Sequence, residues 1–426
     1  MTFAFKTYGC RLNKAEGAQL EHALLLDGFE RVPLSAMPQI VVVYSCTVTQ
    51  KAESECVKFL RQMRAQHPQV FLVLAGCAAE TVDDAALLGI VDLRVNRADH
   101  AHFASCLKAA LTHAGHALPH ATTVHAATAA ASLRTQRATL KVQDGCDYFC
   151  AYCIVPYVRG APRSKAVADC LDEARRMIDA GFQEIVITGC NTACYSADGC
   201  RLPGLLEKLL ALKGLGRIRL GSIEPGTVER EIITLMVQDP RICRFLHLPV
   251  QHGDSAVLTR MRRRYTSEMI AATLDFALQQ IPELGIGVDL IAGFPGESEA
   301  AHLKNLAFVQ RYPIGKLHVF PYSERPGTRA AMFAEQLPPA LRRQRAKEVM
   351  TQGLLRMDEH RATYIGRTVR VLVEKIDQEG LALGWSSEYL ACQVSGCSAH
   401  SRRQLVTAQV SGIDAHNRLI CHYHEP

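Results

Sequence analysis

Cys146, Cys150 and Cys153 stand in a C-x3-C-x2-C spacing within QDGCDYFCAYCIVPYVRG, residues 143–160. Three thiolates in one short loop are one ligand short of the usual tetrahedral zinc set. They suit three irons of a [4Fe–4S] cluster, which is normally held by cysteine, and leave the fourth iron open to an exogenous ligand. Two plainer readings stand beside this one: a zinc site whose fourth ligand lies elsewhere, or three reduced core cysteines.

A second trio is dispersed. Cys10, Cys46 and Cys77 each sit at or just past the end of an apolar run, in FAFKTYG, QIVVVYSC and VFLVLAGC. If those runs are parallel strands, their C-terminal ends share one edge, where α/β proteins place ligands, and the three cysteines can converge. Burial as ordinary thiols is the alternative. Cys190, Cys194 and Cys200 crowd the segment ITGCNTACYSADGC and form a further metal candidate with no assigned role. Cys56, Cys106, Cys170, Cys243, Cys392, Cys397 and Cys421 match no motif and read as reduced cysteines.

The elements that must position these residues follow from hydrophobic period. Residues 1–111 alternate apolar runs with polar helical stretches, the pattern of an α/β domain with a parallel sheet. Residues 112–133 are rich in Ala, Thr and His and read as a linker; its His113, His116, His120 and His125 lack regular ligand spacing. Residues 134–333 repeat a strand–helix theme six times, which predicts a partial (βα)6 barrel with the C-x3-C-x2-C loop just after its first strand. Residues 334–362 form a connecting helix rich in Arg and Lys. Residues 363–426 carry short alternating runs split by Gly, Ser and Asn, which predicts a small antiparallel β-barrel.

Composition bounds the function. The 426 residues carry sixteen cysteines and no basic-then-apolar leader, so the expectation is a cytoplasmic protein that uses cysteine for metal rather than disulfides. The apolar runs at 40–44 and 71–79 fall short of the ~20 residues a membrane span needs. A net charge of +6 permits a nucleic-acid partner. Arg159 and Arg163 follow the cysteine loop, and RMRRRYT adds Arg262, Arg263 and Arg264; such clusters suit phosphate, or form a solvated face. Trp385 is the only tryptophan, a candidate for base stacking or for packing within the small barrel.

The loop, with Tyr152 before its last cysteine, resembles the radical S-adenosylmethionine (AdoMet) superfamily. CDYFCAYCIVPYVRGAPRS, HLPVQHGDSAVLTRMRRRYT, DLIAGFPGES, HVFPYSERPGTRAA and TYGCRLNKAEG resemble the methylthiotransferases of that superfamily along nearly the whole chain. The resemblance implies a radical-AdoMet barrel and a TRAM-like C-terminal domain. It implies two [4Fe–4S] clusters, one on Cys146, Cys150 and Cys153, the other on Cys10, Cys46 and Cys77, with Asn13 near the second. Thr47 reads more simply as the cap of the next helix. AdoMet contacts are implied for Tyr152, Thr188, Gly189, Ser222, Glu224, Gln251 and Gly293. No catalytic side chain is singled out.

In that family one AdoMet donates a methyl group to sulfur and another is cleaved to a radical that removes hydrogen from an unreactive carbon. The implied partners are tRNA, an electron donor such as a flavodoxin or ferredoxin, and a sulfur source, for a monomeric enzyme. RMRRRYT, HVFPYSERPGT and CIVPYVRGAPRS resemble the branch that converts N6-threonylcarbamoyladenosine at tRNA position 37 to its 2-methylthio derivative. The branches acting on isopentenyladenosine or on a ribosomal-protein aspartate are the alternatives. A non-catalytic iron–sulfur RNA-binding protein is the reading from another class. The threonylcarbamoyl carboxylate predicts a basic residue, expected to be an arginine, in the substrate pocket.

Overall fold

In the computed structural model, the described residues are 1–9, 11–47, 50–119, 136–228 and 230–424. Cys10, His120 and His125 lie outside them. The N-terminal part is a five-stranded parallel sheet in the order Glu30–Arg31, Thr2–Thr7, Ile40–Ser45, Phe71–Gly76, Leu93–Val95. Its strands Ile40–Ser45 and Phe71–Gly76 are buried at every position, as continuous apolar strands covered on both faces must be. Val42 and Val73 pack with Leu24 and Leu107 on one face, and Val43 and Leu72 pack with Leu60 on the other. All strands run the same way, so Cys46 and Cys77, which directly follow Ser45 and Gly76, emerge on one edge.

The central part has six strands, Ala138–Lys141, Glu184–Thr188, Arg217–Leu220, Phe245–Gln251, Gly285–Ala292 and Ile314–Pro321. Their pairings are parallel and run in chain order. Single bridges, Ile218 to Ile242 and Ser222 to His247, join the two halves. The curved sheet ends at its first and sixth strands instead of closing on itself, which makes it a partial barrel. The helix Pro339–Ala362 lies along the sixth strand. Gly353 allows that approach, because a Cβ there would stand 1.9 Å from Leu317 Cδ2.

The C-terminal part is a closed five-stranded barrel. The expected antiparallel pairing fails in one place: Ala391–Ser395 runs parallel to Leu419–Tyr423, since the intervening strand Leu405–Ile413 pairs on the other side of the last strand. This barrel is docked by buried charge. Glu184 accepts from Arg217 Nε at 2.6 Å and from Arg219 Nε at 2.8 Å. The two guanidinium groups then donate to the carbonyls of Arg370, Trp385, Ser386 and Ser387 at 2.8–3.0 Å. Trp385 stacks on Tyr389 with ring centroids 4.8 Å apart, so its ring packs at this junction. Among the described residues no helix is long and apolar enough to cross a membrane.

Candidate functional site

The C-x3-C-x2-C loop leaves the first barrel strand through Gly145. Its φ is +72°, and a Cβ there would stand 2.1 Å from the carbonyl oxygen of Ala161, so only glycine lets the returning chain pass. The amide of Cys146 donates to Gly160 at 3.0 Å, and that of Ala151 to Met261 at 2.9 Å. Burial pushes the Cys146 thiol up to about 11 and the Cys153 thiol to about 12, and it raises Cys150 as well. Such thiols stay protonated at neutral pH and ionise when a metal takes the proton's place. Arg263 donates from Nη1 to Cys150 Sγ and to Tyr152 Oη, each at 3.1 Å, and pairs with Glu224 at 2.6 Å. Three soft donors backed by a buried cation fit an iron–sulfur cluster.

The second set lies across a domain boundary. Cys46 and Cys77 are 3% and 4% exposed. The backbone of Gly9 rests on Cys46, where a Cβ would stand 2.2 Å from the cysteine's own Cβ. Arg159, just past the first cysteine loop, reaches into the N-terminal part: its guanidinium donates to Glu16 at 2.8 Å, to Asn13 at 3.2 Å and to Asp144 at 2.9 Å. Lys141 bonds Glu16 at 2.6 Å and Asp144 at 2.7 Å, while Arg97 bonds Asp144 at 2.5 Å. Tyr44 Oη completes the set on Glu16 at 2.9 Å. Burial alone would raise Glu16, but Arg159, with Lys141 and Arg97, outweighs it and holds the carboxyl at about 2. Burial raises the Cys77 thiol, opposed by the charges of Arg159 and Arg97. Three cations against two carboxylates leave an excess positive charge beside these thiols, which suits bound thiolate.

A cavity of about 2310 Å³ lies between the N-terminal part and the barrel mouth, and of the candidate cluster cysteines Cys46 lines it. Gly9, Leu12 and Cys46 line it from the N-terminal part, and Tyr152, Thr188, Gly189, Ser222 and Gln251 line it from the barrel mouth. The remaining two expected AdoMet contacts sit differently. Glu224 is committed to Arg263, and the bare face of Gly293 is filled by Arg342, whose Cα would stand 2.7 Å from an added Cβ.

Several expectations need correction. Arg159 and Arg263, read as phosphate contacts, have side chains only 3% and 5% exposed and are committed to Glu16 and Glu224. Arg163, Arg262 and Arg264 do lie at the surface, with Arg264 stacked 3.8 Å over the Tyr148 ring. Thr47 binds side chains, its hydroxyl meeting Glu53 at 2.6 Å, Thr81 at 2.9 Å and Arg325 Nη2 at 2.6 Å, while residues 48–49, where the expected cap would act, lie outside the described residues. Cys190, Cys194 and Cys200 turn to different partners, Asp144 at 3.4 Å, Tyr148 at 3.6 Å and the Arg201 carbonyl at 3.4 Å, so they do not form one metal site.

Sequence reasoning missed a group in the barrel lumen. His247 and His318 flank Asp289, at 3.0 Å and 2.8 Å, on the fourth, sixth and fifth strands. The available signal was alternation: KLHVF sets Lys316 and His318 two residues apart, and GVDLI sets Asp289 alone among apolar neighbours.

Comparison with known proteins gives a consistent picture. The profile of the Radical SAM superfamily matches residues 140–309, and that of an uncharacterized protein family, UPF0004, matches residues 2–92. The chain is 30% identical over 410 residues to the threonylcarbamoyladenosine tRNA methylthiotransferase MtaB of Bacillus subtilis, covering 93% of this chain and 90% of that protein. It is 32% identical over 411 residues to the tRNA-2-methylthio-N(6)-dimethylallyladenosine synthase of Roseobacter denitrificans, covering 92% of each. Among solved structures, the radical S-adenosylmethionine methyltransferase TsrM of Kitasatospora setae shares the fold, with a TM-score of 0.55 and 14% identity over 78% of this chain and 75% of that one.

Proposed function

The chain belongs to the radical AdoMet methylthiotransferase family, and from that premise we propose that it methylthiolates C2 of N6-threonylcarbamoyladenosine at tRNA position 37. As a family member it is an enzyme that uses AdoMet and a [4Fe–4S] cluster. Cys146, Cys150 and Cys153 would hold that cluster. Cys46 and Cys77, with Cys10, would hold a second one, which would supply the sulfur to be transferred. The observation that carries the reading is the shared cavity, which Cys46 enters from one side and Tyr152 from the other.

An adenine C2–H is far too weak an acid for a side-chain base working near neutral pH. Bound AdoMet and cluster supply the one-electron chemistry such a carbon needs. The protein's own residues position and enclose. Thr188, Gly189 and Gln251 form the wall where AdoMet would lie, and Arg263 offsets the thiolate charge at Cys150. Arg159 ties the barrel's cysteine loop to the N-terminal part through Glu16 and Asp144, so the two cysteine sites would be held at a fixed separation. Surface Arg163, Arg262 and Arg264 would meet tRNA phosphates. The same reading takes the enzyme as a cytoplasmic monomer supplied by a flavodoxin- or ferredoxin-type reductant and a separate sulfur donor.

A dimethylallyl substrate is the second reading, carried by the 32% identical relative. Mass spectrometry of nucleosides from total tRNA, with the gene intact and deleted, separates the two. Loss of 2-methylthio-N6-threonylcarbamoyladenosine with accumulation of its precursor supports the proposal. Loss of the methylthio-dimethylallyl nucleoside instead supports the second reading.

A further inference from the structure

The lumen of the partial barrel is polar where a core would be apolar. On the fifth strand Gly287, Asp289 and Ile291 alternate inward, and on the sixth Lys316, His318 and Phe320 do so. Asp289 and His318 are direct partners in the ladder, and His318 Nδ1 meets Asp289 Oδ1 at 2.8 Å. His247 Nε2 meets the other carboxylate oxygen at 3.0 Å. Its ring has room because residue 287 is glycine, where a Cβ would stand 2.6 Å from His247 Nδ1. Burial would raise the Asp289 carboxyl, but the hydrogen bonds from both imidazoles outweigh it and hold it well below the usual carboxylate range.

Asp289 thus has one imidazole on each oxygen, and its own charge is spent on orienting them. The His318 side chain remains 45% exposed to the cavity, with Nε2 turned from the carboxylate. Two residues earlier, Lys316 places its ammonium over the Tyr389 ring, 4.2 Å from the centroid, on the same wall. With Nδ1–H given to Asp289, the His318 ring donates from Nε2 in its protonated form; that edge and the Lys316 ammonium on one wall are the chemistry of a carboxylate subsite. They are poor surroundings for an uncharged hydrocarbon, whose entry would desolvate them without return.

We infer that His318 and Lys316, with Asp289 and His247 as positioning residues, bind the carboxylate of an anionic N6-substituent on the target adenosine. The inference rests on the tRNA methylthiotransferase reading above and assigns to His318 and Lys316 the part that sequence reasoning gave to an arginine. The dimensions agree. The fourth strand runs from His247 up to Gln251 at the mouth, four residues or roughly 13 Å at ~3.3 Å per residue. A carboxylate four bonds beyond N6 extends roughly 6 Å past that nitrogen, and the purine ring lies between N6 and the reacting C2. An adenine whose C2 faces the barrel mouth can therefore lay its substituent down the lumen.

The test is binding, read apart from turnover. Holoenzyme is titrated anaerobically with fluorescent anticodon stem-loops carrying N6-threonylcarbamoyladenosine, N6-dimethylallyladenosine or unmodified adenosine at position 37. Wild type is expected to prefer the threonylcarbamoyl loop over the unmodified one by about tenfold, the scale of a charged hydrogen bond. His318→Ala and Lys316→Met are each expected to cut that ratio severalfold; the ratio is the readout, so general weakening from imperfect folding cancels. If wild type prefers the threonylcarbamoyl loop and both variants keep the full ratio, the subsite is wrong while the substrate reading stands. If wild type prefers the dimethylallyl loop, or shows no preference, the substrate reading falls and the subsite with it. Stoichiometric zinc in wild type that disappears in His318→Ala would assign the three residues to a metal and overturn the inference.

Discussion

Arg159 donates from Nη2 to Glu16 Oε2 at 2.8 Å across 143 positions of sequence. The bond joins the segment after the barrel's cysteine loop to the helix Arg11–Leu26 in the N-terminal part. It makes the relative position of the two cysteine sites a property of one buried ion network rather than of a linker.

Breaking that network from its centre is expected to be costly. Arg159→Met leaves Glu16 and Asp144 buried with Lys141 and Arg97 as their remaining cations. The expected loss is about 3–5 kcal/mol, as for other buried pairs that lose one partner. Urea unfolding measures it, and limited proteolysis at the domain boundary reports whether the N-terminal part has come loose. A loss below about 1 kcal/mol would place the docking energy elsewhere.

Acid is expected to weaken the same junction in a defined window. Glu16 is held at about 2 against an ordinary 4.5, and Asp144 is also depressed, both through Arg159, Lys141 and Arg97 acting against burial. A carboxylate depressed in the folded state contributes fully above its unfolded value and loses that contribution as pH falls toward its folded value. Stability of the apoprotein should therefore drop between pH about 4.5 and about 2. Glu16→Gln should flatten that part of the curve, measured by urea midpoints across the series.

A neutral amide in place of Glu184 tests the docking of the small barrel. Glu184→Gln strips the counter-charge from Arg217 and Arg219, whose side chains are 1% and 0% exposed. A destabilisation of about 3–5 kcal/mol is expected, together with faster amide exchange at Arg370 and Trp385–Ser387, whose carbonyls the two arginines hold. Unchanged exchange there would show that the C-terminal barrel docks by other contacts.

Arg325 is expected to act on sulfur transfer and not on AdoMet cleavage. It reaches from the loop after the sixth barrel strand to Thr47 and Glu53, at 2.6 Å and 2.8 Å, and so steadies the chain beside Cys46. Arg325→Ala should lower methylthio product by about a hundredfold through misplacement, with 5′-deoxyadenosine formation kept. Parallel loss of both activities would instead mark a general folding defect.

The local features were legible in the sequence, and those that depend on distant partners were not. C-x3-C-x2-C is short-range, so its loop and its place after a strand could be read directly. The strand ends bearing Cys46 and Cys77 followed from apolar runs and the parallel-sheet rule. Arg159 misled because an arginine after such a loop looks like a phosphate ligand until its buried acids are known; one of them is 143 positions away. Arg263 misled in the same way, since RMRRRYT gives no sign that the middle arginine turns inward to Glu224 and Cys150. Glu184 and Arg217 stand at strand starts, where charge ordinarily meets water, yet with Arg219 they meet a second domain. His318 and Asp289 were marked by alternation within their strands, but only the register of the barrel brings them together.

The central claim is that two cysteine sets serve one cavity with separate tasks. The most direct measurement is the parallel yield of 5′-deoxyadenosine and methylthio nucleoside from reconstituted Cys46→Ala/Cys77→Ala enzyme with threonylcarbamoyl-bearing tRNA. The account predicts that AdoMet cleavage continues while no methylthio product forms. Normal methylthio product from that variant would contradict it.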